Sequence, residues 1–140
     1  MPLTINLKPH ERLIVNGVVI ENSGPAAKIL VHNNAALLRE KDIVTEEQAT
    51  TPARRIYFAI QCEYLFPAKG DVFLPIIEKF LAEFEEAAPS TAMLVADIRQ
   101  LVSGGQFYRA LKSAKQLITR EQEILDGVTD EGLSKNAGAG

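Results

Sequence analysis

Residues 51–65 read TPARRIYFAIQCEYL, and here the spacing of apolar side chains changes from every second residue to every third or fourth. Thr51 is a favourable N-cap and Pro52 suits the first helical position, so the sequence predicts that a helix begins at this point. The apolar side chains on one face of this helix are Ala53, Ile56, Tyr57, Ile60 and Tyr64. We therefore expect strands before this stretch and helices after it.

The first 50 residues are predicted to form four or five short strands, because β-branched residues are concentrated there and turn residues interrupt them. The pair Asn16-Gly17 separates two apolar runs and predicts a hairpin in which both turn residues adopt positive φ. The predicted strands cover residues 3–7, 11–15, 18–22, 28–32 and 36–38. Their arrangement is expected to be a small antiparallel barrel or sheet.

Three further amphipathic helices are predicted after the first one. The second begins near Asp71 with Pro75 in its first turn, and the third ends at Gly104-Gly105. The fourth carries apolar residues from Phe107 to Leu125. Four such helices and a small barrel have more apolar surface than one chain can cover, so we predict a homodimer.

The predicted fold class is α+β. Residues 1–50 form the β module, and residues 51–126 form a bundle of about four helices. Residues 127–140 contain four glycines and no apolar periodicity, and are predicted to be a disordered tail.

The composition limits the classes of function. The net charge is −3, whereas proteins that bind nucleic acid by bulk charge usually have a strongly basic domain, so any RNA binding must be local. No apolar run reaches the roughly 18 residues of a transmembrane helix, and the N-terminal residues lack the pattern of a signal peptide. With a single cysteine, these features predict a cytoplasmic location without membrane association.

The sequence offers no combination of residues typical of catalysis. Cys62 lies in the middle of the first helix without a neighbouring base, which favours an ordinary packing residue. His10 and His32 have no partner at metal-ligand spacing. We therefore predict no catalytic site, no metal site and no cofactor.

Two basic groups are candidate binding residues. Arg39 and Lys41 follow the last predicted strand, and Arg54-Arg55 lie in the first helical turn, where cations oppose the helix dipole. The Arg54-Arg55 pair is expected either to form ion pairs with Glu46-Glu47 or to bind a ligand. A third basic face, on the fourth helix, is interpreted as solvated and contains Arg109, Lys112, Gln116 and Arg120.

Four segments resemble the FlbT family in order and spacing. They read LKP at 7–9, LIVNG at 13–17, LREKDI at 38–43 and ATTPARRIYFA at 49–59. The resemblance covers residues 2–120, and residues 39–59 are its most specific part. It implies a non-enzymatic regulator that acts on the untranslated leader of flagellin messenger RNA and represses its expression.

The first 45 residues are also similar to the CsrA family of intertwined dimeric RNA regulators. The similarity lies in the short strands, in Glu11 before an apolar strand, and in Arg39-Glu40 followed by Ile43. It implies RNA contact by Arg39 and by basic residues of the first strand. Lys8 matches one of these basic positions, whereas Leu7 stands in place of an arginine and His10 in place of a glycine.

From these observations we predict a repressor that binds the 5′ untranslated region of flagellin mRNA. The predicted RNA-binding residues are Arg39, Lys41, Lys8, Arg54 and Arg55. The alternative is a protein-binding adaptor of the flagellar regulatory system, whose helical half binds a partner such as FlaF or flagellin.

Overall fold

The computed structural model describes residues 2–67 and 72–131, and in 128–131 the helical backbone only. Five strands precede four helices, which confirms the α+β prediction. The strands are β1 (Leu3–Leu7), β2 (Arg12–Val15), β3 (Val18–Glu21), β4 (Ala27–Val31) and β5 (Leu37–Arg39). The helices are α1 (Pro52–Leu65), α2 (Phe73–Ala87), α3 (Ala92–Ser103) and α4 (Phe107–Glu131). Short 3-10 turns lie at Glu40–Asp42, Glu46–Gln48 and Pro89–Thr91.

The strands form two antiparallel sheets. β1 pairs with β4, and β2 lies between β3 and β5. The predicted hairpin turn joins β2 to β3, with φ of 51° at Asn16 and 85° at Gly17. A Cβ atom at Gly17 would lie 2.7 Å from the Phe66 ring, so this position requires glycine for both backbone and packing reasons.

Two apolar clusters hold the chain together. The smaller one lies between the sheets and contains the buried side chains of Ile5, Leu7 and Leu13. The larger one contains the buried faces of all four helices together with Ile14 of β2 and Leu38 of β5. The β and helical modules therefore share a core, because these two strand residues pack among helix residues.

The helix ends follow the predicted signals. The Thr51 hydroxyl accepts the Arg54 N–H at 3.3 Å, and Pro52 is the first residue of α1. After α3, Gly105 has φ of 74° and its N–H donates to the Val102 carbonyl at 3.0 Å. This arrangement is the left-handed glycine ending that satisfies free carbonyl groups of a helix.

One boundary differs from the sequence-based expectation. α4 continues to Glu131, so residues 127–131 of the predicted tail are helical, and the single Gly127 is tolerated within the helix. Residues 132–140 of the predicted tail, and the expected start of α2 at Asp71, lie outside the described residues. Every residue of β3 is exposed, although Val18, Val19 and Ile20 are apolar.

Candidate nucleic-acid interface

Polar side chains of α1 hold the segment between Leu37 and Val44, which carries the predicted RNA contacts Arg39 and Lys41. The Tyr64 hydroxyl accepts the Leu37 N–H and donates to the Leu37 carbonyl, both at 3.0 Å. The Gln61 amide both accepts from and donates to the Val44 backbone, each at 2.9 Å. Because residues 61 and 64 lie on one face of α1, the segment between Leu37 and Val44 is held at both ends.

Arg39 lies at the end of β5 and is tied to the β module. Its Nη2 atom donates to the Asn6 carbonyl at 2.7 Å and to Glu11 Oε2 at 3.3 Å. The side chain of Arg39 remains 38% exposed, whereas that of Glu11 is 16% exposed. Hydrogen bonds from the Lys8 N–H and from Arg39 stabilise the charged Glu11 carboxylate, so its pKa is lowered.

The ion-pair partner of Arg39 is Glu11 rather than one of the acidic residues close to it in sequence, Glu40, Asp42 and Glu46. In the antiparallel pairing of β2 with β5, Arg39 lies opposite Leu13, so Glu11 is its diagonal neighbour on the same face of the sheet. The carboxylates of Glu40 and Asp42 are engaged elsewhere.

A groove of about 480 Å³ lies between the end of β5, the 3-10 turn that follows it, and α4. Among the residues that the structure describes, its side chains include four cations and one carboxylate, a net formal charge of +3 in a chain whose total is −3. The polar and aromatic residues that line it are Arg39, Lys41, Asp42, Tyr57, Tyr108, Lys112 and Lys115. The structure therefore brings two predicted RNA contacts, Arg39 and Lys41, together with a basic face of α4.

The α4 side of the groove combines an aromatic ring with two lysines. Tyr108 is 43% exposed, and the Lys112 Nζ lies 5.2 Å from the centroid of its ring. The ring also packs against Tyr64, with a centroid distance of 5.8 Å and an interplanar angle of 41°. Lys115 forms an ion pair with Asp42 across the groove. These side chains can neutralise phosphates and present a π surface to a base.

Sequence reasoning missed the part of the groove that α4 contributes. It noticed Lys112 but interpreted that face as solvated, and it passed over Tyr108 and Lys115. The signal was present, since an aromatic residue and two lysines at spacings of four and three lie on one helical face. The spacing of residues along the sequence does not show that this face of α4 lies opposite Lys41.

Lys8 lies outside the groove, in the turn between β1 and β2. Its side chain is exposed, and its N–H donates to Glu11 Oε1 at 2.8 Å. Leu7, which stands where the CsrA resemblance implies an arginine, is buried in the smaller cluster. His10 has φ of 65°, so the backbone keeps a conformation that favours glycine at the position where that family has one.

Arg54 and Arg55 are exposed in the first turn of α1, away from the basic groove. Neither forms an ion pair with any side chain in residues 2–67 or 72–127, so the expected pairing with Glu46-Glu47 does not occur. Arg55 instead borders a second groove of about 390 Å³ between the start of α1, α2 and α4. The walls of that groove are mainly apolar and include Phe80, Phe84, Ile124 and Leu125.

Other classes of site have little support in the described chain. Cys62 is half-buried, and burial raises the pKa of its thiol, which disfavours the reactive thiolate. Across residues 2–67 and 72–127, no three His, Cys, Asp or Glu side chains form a group suited to a metal ion. No helix in the described ranges is both long and apolar enough to cross a membrane.

Comparison with known proteins agrees on one family. A family model described as "Flagellar protein FlbT" matches residues 3–125. A Rhodopseudomonas palustris protein named "Probable flagellum biosynthesis repressor protein FlbT" is 40% identical over 128 residues, which cover 89% of this chain and 98% of that protein. "Flagellum biosynthesis repressor protein FlbT" of Caulobacter vibrioides is 35% identical over 142 residues and is matched over 100% of both chains. No solved structure matches. The chain belongs to the FlbT family.

Proposed function

We propose that this protein represses flagellum biosynthesis after transcription, by binding the 5′ untranslated leader of flagellin mRNA in the groove between β5 and α4. The repressor role is supported by the relatives, which are named flagellum biosynthesis repressors. The RNA target is the one implied by the resemblance to the FlbT family. In this role the protein is a regulator rather than an enzyme.

The concentration of positive charge in the groove is the observation that carries the proposal. Lys41 and Lys112 form no ion pair with side chains of the described residues, so both are available to phosphates. Local neutralisation of phosphates gives affinity without a basic domain, because binding releases the counterions that the nucleic acid had condensed. An acidic chain can therefore bind RNA at this one surface.

Arg39 has a different part in the proposed interface. Its hydrogen bonds to Asn6 and Glu11 hold one end of the guanidinium, which reduces the entropy lost on binding. The Nε atom is buried without a hydrogen-bond partner in the described part of the chain, and the part of the guanidinium that stays exposed can pair with a phosphate or a base edge. Lys8 lies outside the groove, in the turn where its N–H donates to Glu11, the ion-pair partner of Arg39. We therefore assign Lys8 a supporting contact to RNA.

A gel shift with flagellin leader RNA at two salt concentrations tests the proposal. The wild-type protein is compared with Lys41→Ala/Lys112→Ala and with Lys79→Ala, which removes a charge from the exposed surface of α2. We expect the double variant to lose affinity and to lower the salt slope by about 1.4, or about 0.7 for each phosphate contact of a single strand. The Lys79 variant should behave as wild type. Equal binding by all three proteins would contradict the proposal.

The second groove favours an alternative function as a protein-binding adaptor. Leu125 is 49% exposed at the border of this mainly apolar groove, and a flagellar protein such as flagellin or FlaF could bind there through an apolar segment. Calorimetric titration of either protein into wild type and Leu125→Glu separates the functions. The adaptor function predicts that Leu125→Glu abolishes the complex, whereas the RNA-binding function predicts unchanged binding of leader RNA by this variant.

A further inference from the structure

We propose that the groove between β5 and α4 takes an unpaired RNA base against the ring of Tyr108, with the surrounding lysines holding the flanking phosphates. This inference rests on the RNA-binding function proposed above and goes beyond it, because it names the form of RNA that the groove accepts. The groove is inferred to select single-stranded segments over duplex RNA.

The dimensions of the groove favour a single nucleotide. Its volume of about 480 Å³ lies within the range of sites that enclose small ligands. A paired base is stacked inside a duplex, and the major groove of A-form RNA is too deep and narrow for side chains to read. The Tyr108 ring can therefore meet a base face only when that base is unpaired and turned outward.

Tyr108 is held in place while keeping part of its ring exposed. Tyr64 packs against it at 5.8 Å, and Tyr64 itself is fixed by two hydrogen bonds to the Leu37 backbone. Tyr108 is 43% exposed and lies in the first turn of α4. A supported aromatic side chain of this kind is typical of the platforms on which proteins stack unpaired bases.

In the free protein, Lys112 lies over the Tyr108 ring at 5.2 Å from its centroid. At an exposed site such a cation–π contact changes an equilibrium constant by only about two- to five-fold. Stacking of a base on an aromatic ring contributes about 5- to 150-fold. Replacement of the ammonium by a base is thus favourable, and it releases Lys112 to contact a phosphate.

Cations from two elements line the groove together with the ring. Lys112 and Lys115 follow Tyr108 by four and seven residues on the same face of α4, and Lys41 approaches from the 3-10 turn across the groove. In the proposed complex these cations contact the phosphates that flank the base resting on Tyr108. This arrangement of a π surface in a basic groove fits a single strand.

Binding to three synthetic probes tests the inference. The probes are an unstructured pyrimidine RNA of roughly 12 nucleotides, the same strand annealed to its complement, and a strand of equal length with abasic sites throughout. The proteins are wild type, Tyr108→Leu and Tyr108→Phe, each checked for folding by thermal melting. We expect Tyr108→Leu to bind the single strand about 5- to 150-fold more weakly than wild type, and Tyr108→Phe to keep the affinity. All three should bind the abasic strand alike, and wild type should bind the duplex more weakly than the single strand; equal binding of duplex and single strand by wild type overturns the inference.

Tyrosine fluorescence supplies a second measurement, since the chain has three tyrosines and no tryptophan. A stacked base should quench the emission of wild type, and the change should be absent in Tyr108→Phe although that variant binds. Unchanged binding of the single strand by Tyr108→Leu overturns the inference and leaves the RNA-binding function standing. Equal weakening on all three probes also overturns it, because Tyr108 then only supports the lysines. Failure of wild type to bind any probe or the leader RNA overturns both.

Discussion

At the residue scale, Arg39 and Lys41 lie two positions apart but stand in different surroundings. Arg39 donates to β1 and to Glu11, whereas Lys41 is exposed on a 3-10 turn. Because Arg39 also holds the sheet, its loss is expected to lower both folding stability and RNA affinity. Because Lys41 is exposed, its loss should lower RNA affinity alone.

Substitution of each residue by alanine separates these roles. Arg39→Ala should lower RNA affinity by about 1 to 3 kcal/mol if the guanidinium reads a base, and stability by no more than about 1 kcal/mol because its ion pair is partly exposed. Lys41→Ala should lower the salt slope of binding by about 0.7 and leave the melting temperature unchanged. The measurements are gel shifts over a salt series and thermal melts. If neither variant alters RNA binding in a folded protein, the site at the end of β5 is wrong.

Asp42 is the one carboxylate among the described side chains that line the groove, and it pairs with Lys115. RNA phosphates must compete with Asp42 for this lysine. We predict that Asp42→Asn raises RNA affinity several-fold, about 1 kcal/mol, and increases the salt slope by about 0.7. Glu47→Gln makes the same change of charge at an exposed position outside the groove and should have little effect. Weaker binding by Asp42→Asn would show that the carboxylate supports the site.

At the scale of elements, local signals in the sequence were sufficient for the first hairpin and the start of α1, although not for the end of α4. Asn16-Gly17 predicted the hairpin because positive φ is a local property, and Thr51-Pro52 predicted the start of α1 for similar reasons. The groove could not be predicted in this way. Its Asp42–Lys115 pair joins residues 73 positions apart, and amphipathic patterns do not say which helix face lies over which strand. The Arg39–Glu11 pair, 28 positions apart, depends on strand pairing in the same manner.

The start of α1 illustrates another contact between distant elements. Glu121 of α4 is buried, and its Oε2 atom accepts the Ala53 N–H at 2.9 Å. A carboxylate at this position satisfies a free N–H group of the helix and interacts favourably with its dipole. We predict that Glu121→Ala destabilises the protein by about 1 to 3 kcal/mol, measured by urea denaturation. Glu123→Ala, on the exposed side of α4, serves as the control and should change stability by less than about 0.5 kcal/mol.

At the scale of the whole molecule, apolar contacts join the helices to one another and the two sheets to each other, but no described residue covers β3. It is the outer strand of its sheet, and Val18 and Val19 are 60% and 59% exposed. An apolar outer strand with free backbone groups is a surface that another strand can join.

We predict that the protein is a homodimer through this strand. Light scattering at micromolar concentration should give twice the chain mass of 15.3 kDa. Val19→Lys should shift the mass to that of one chain, because a lysine on an outer strand opposes pairing. Met93→Lys places the same charge on an 89% exposed side chain of α3 and should remain dimeric. A wild-type mass of one chain would reject the prediction.

The central claim is that flagellin leader RNA occupies the groove between β5 and α4. Ultraviolet cross-linking of the folded wild-type protein to this RNA, followed by mass spectrometry of the peptides, locates the contact directly. We expect the cross-linked peptides to contain residues 39–42 and 108–115, and competition with unlabelled leader RNA to remove them. Cross-links confined to Arg54-Arg55, or to the apolar groove beside Leu125, would contradict the account.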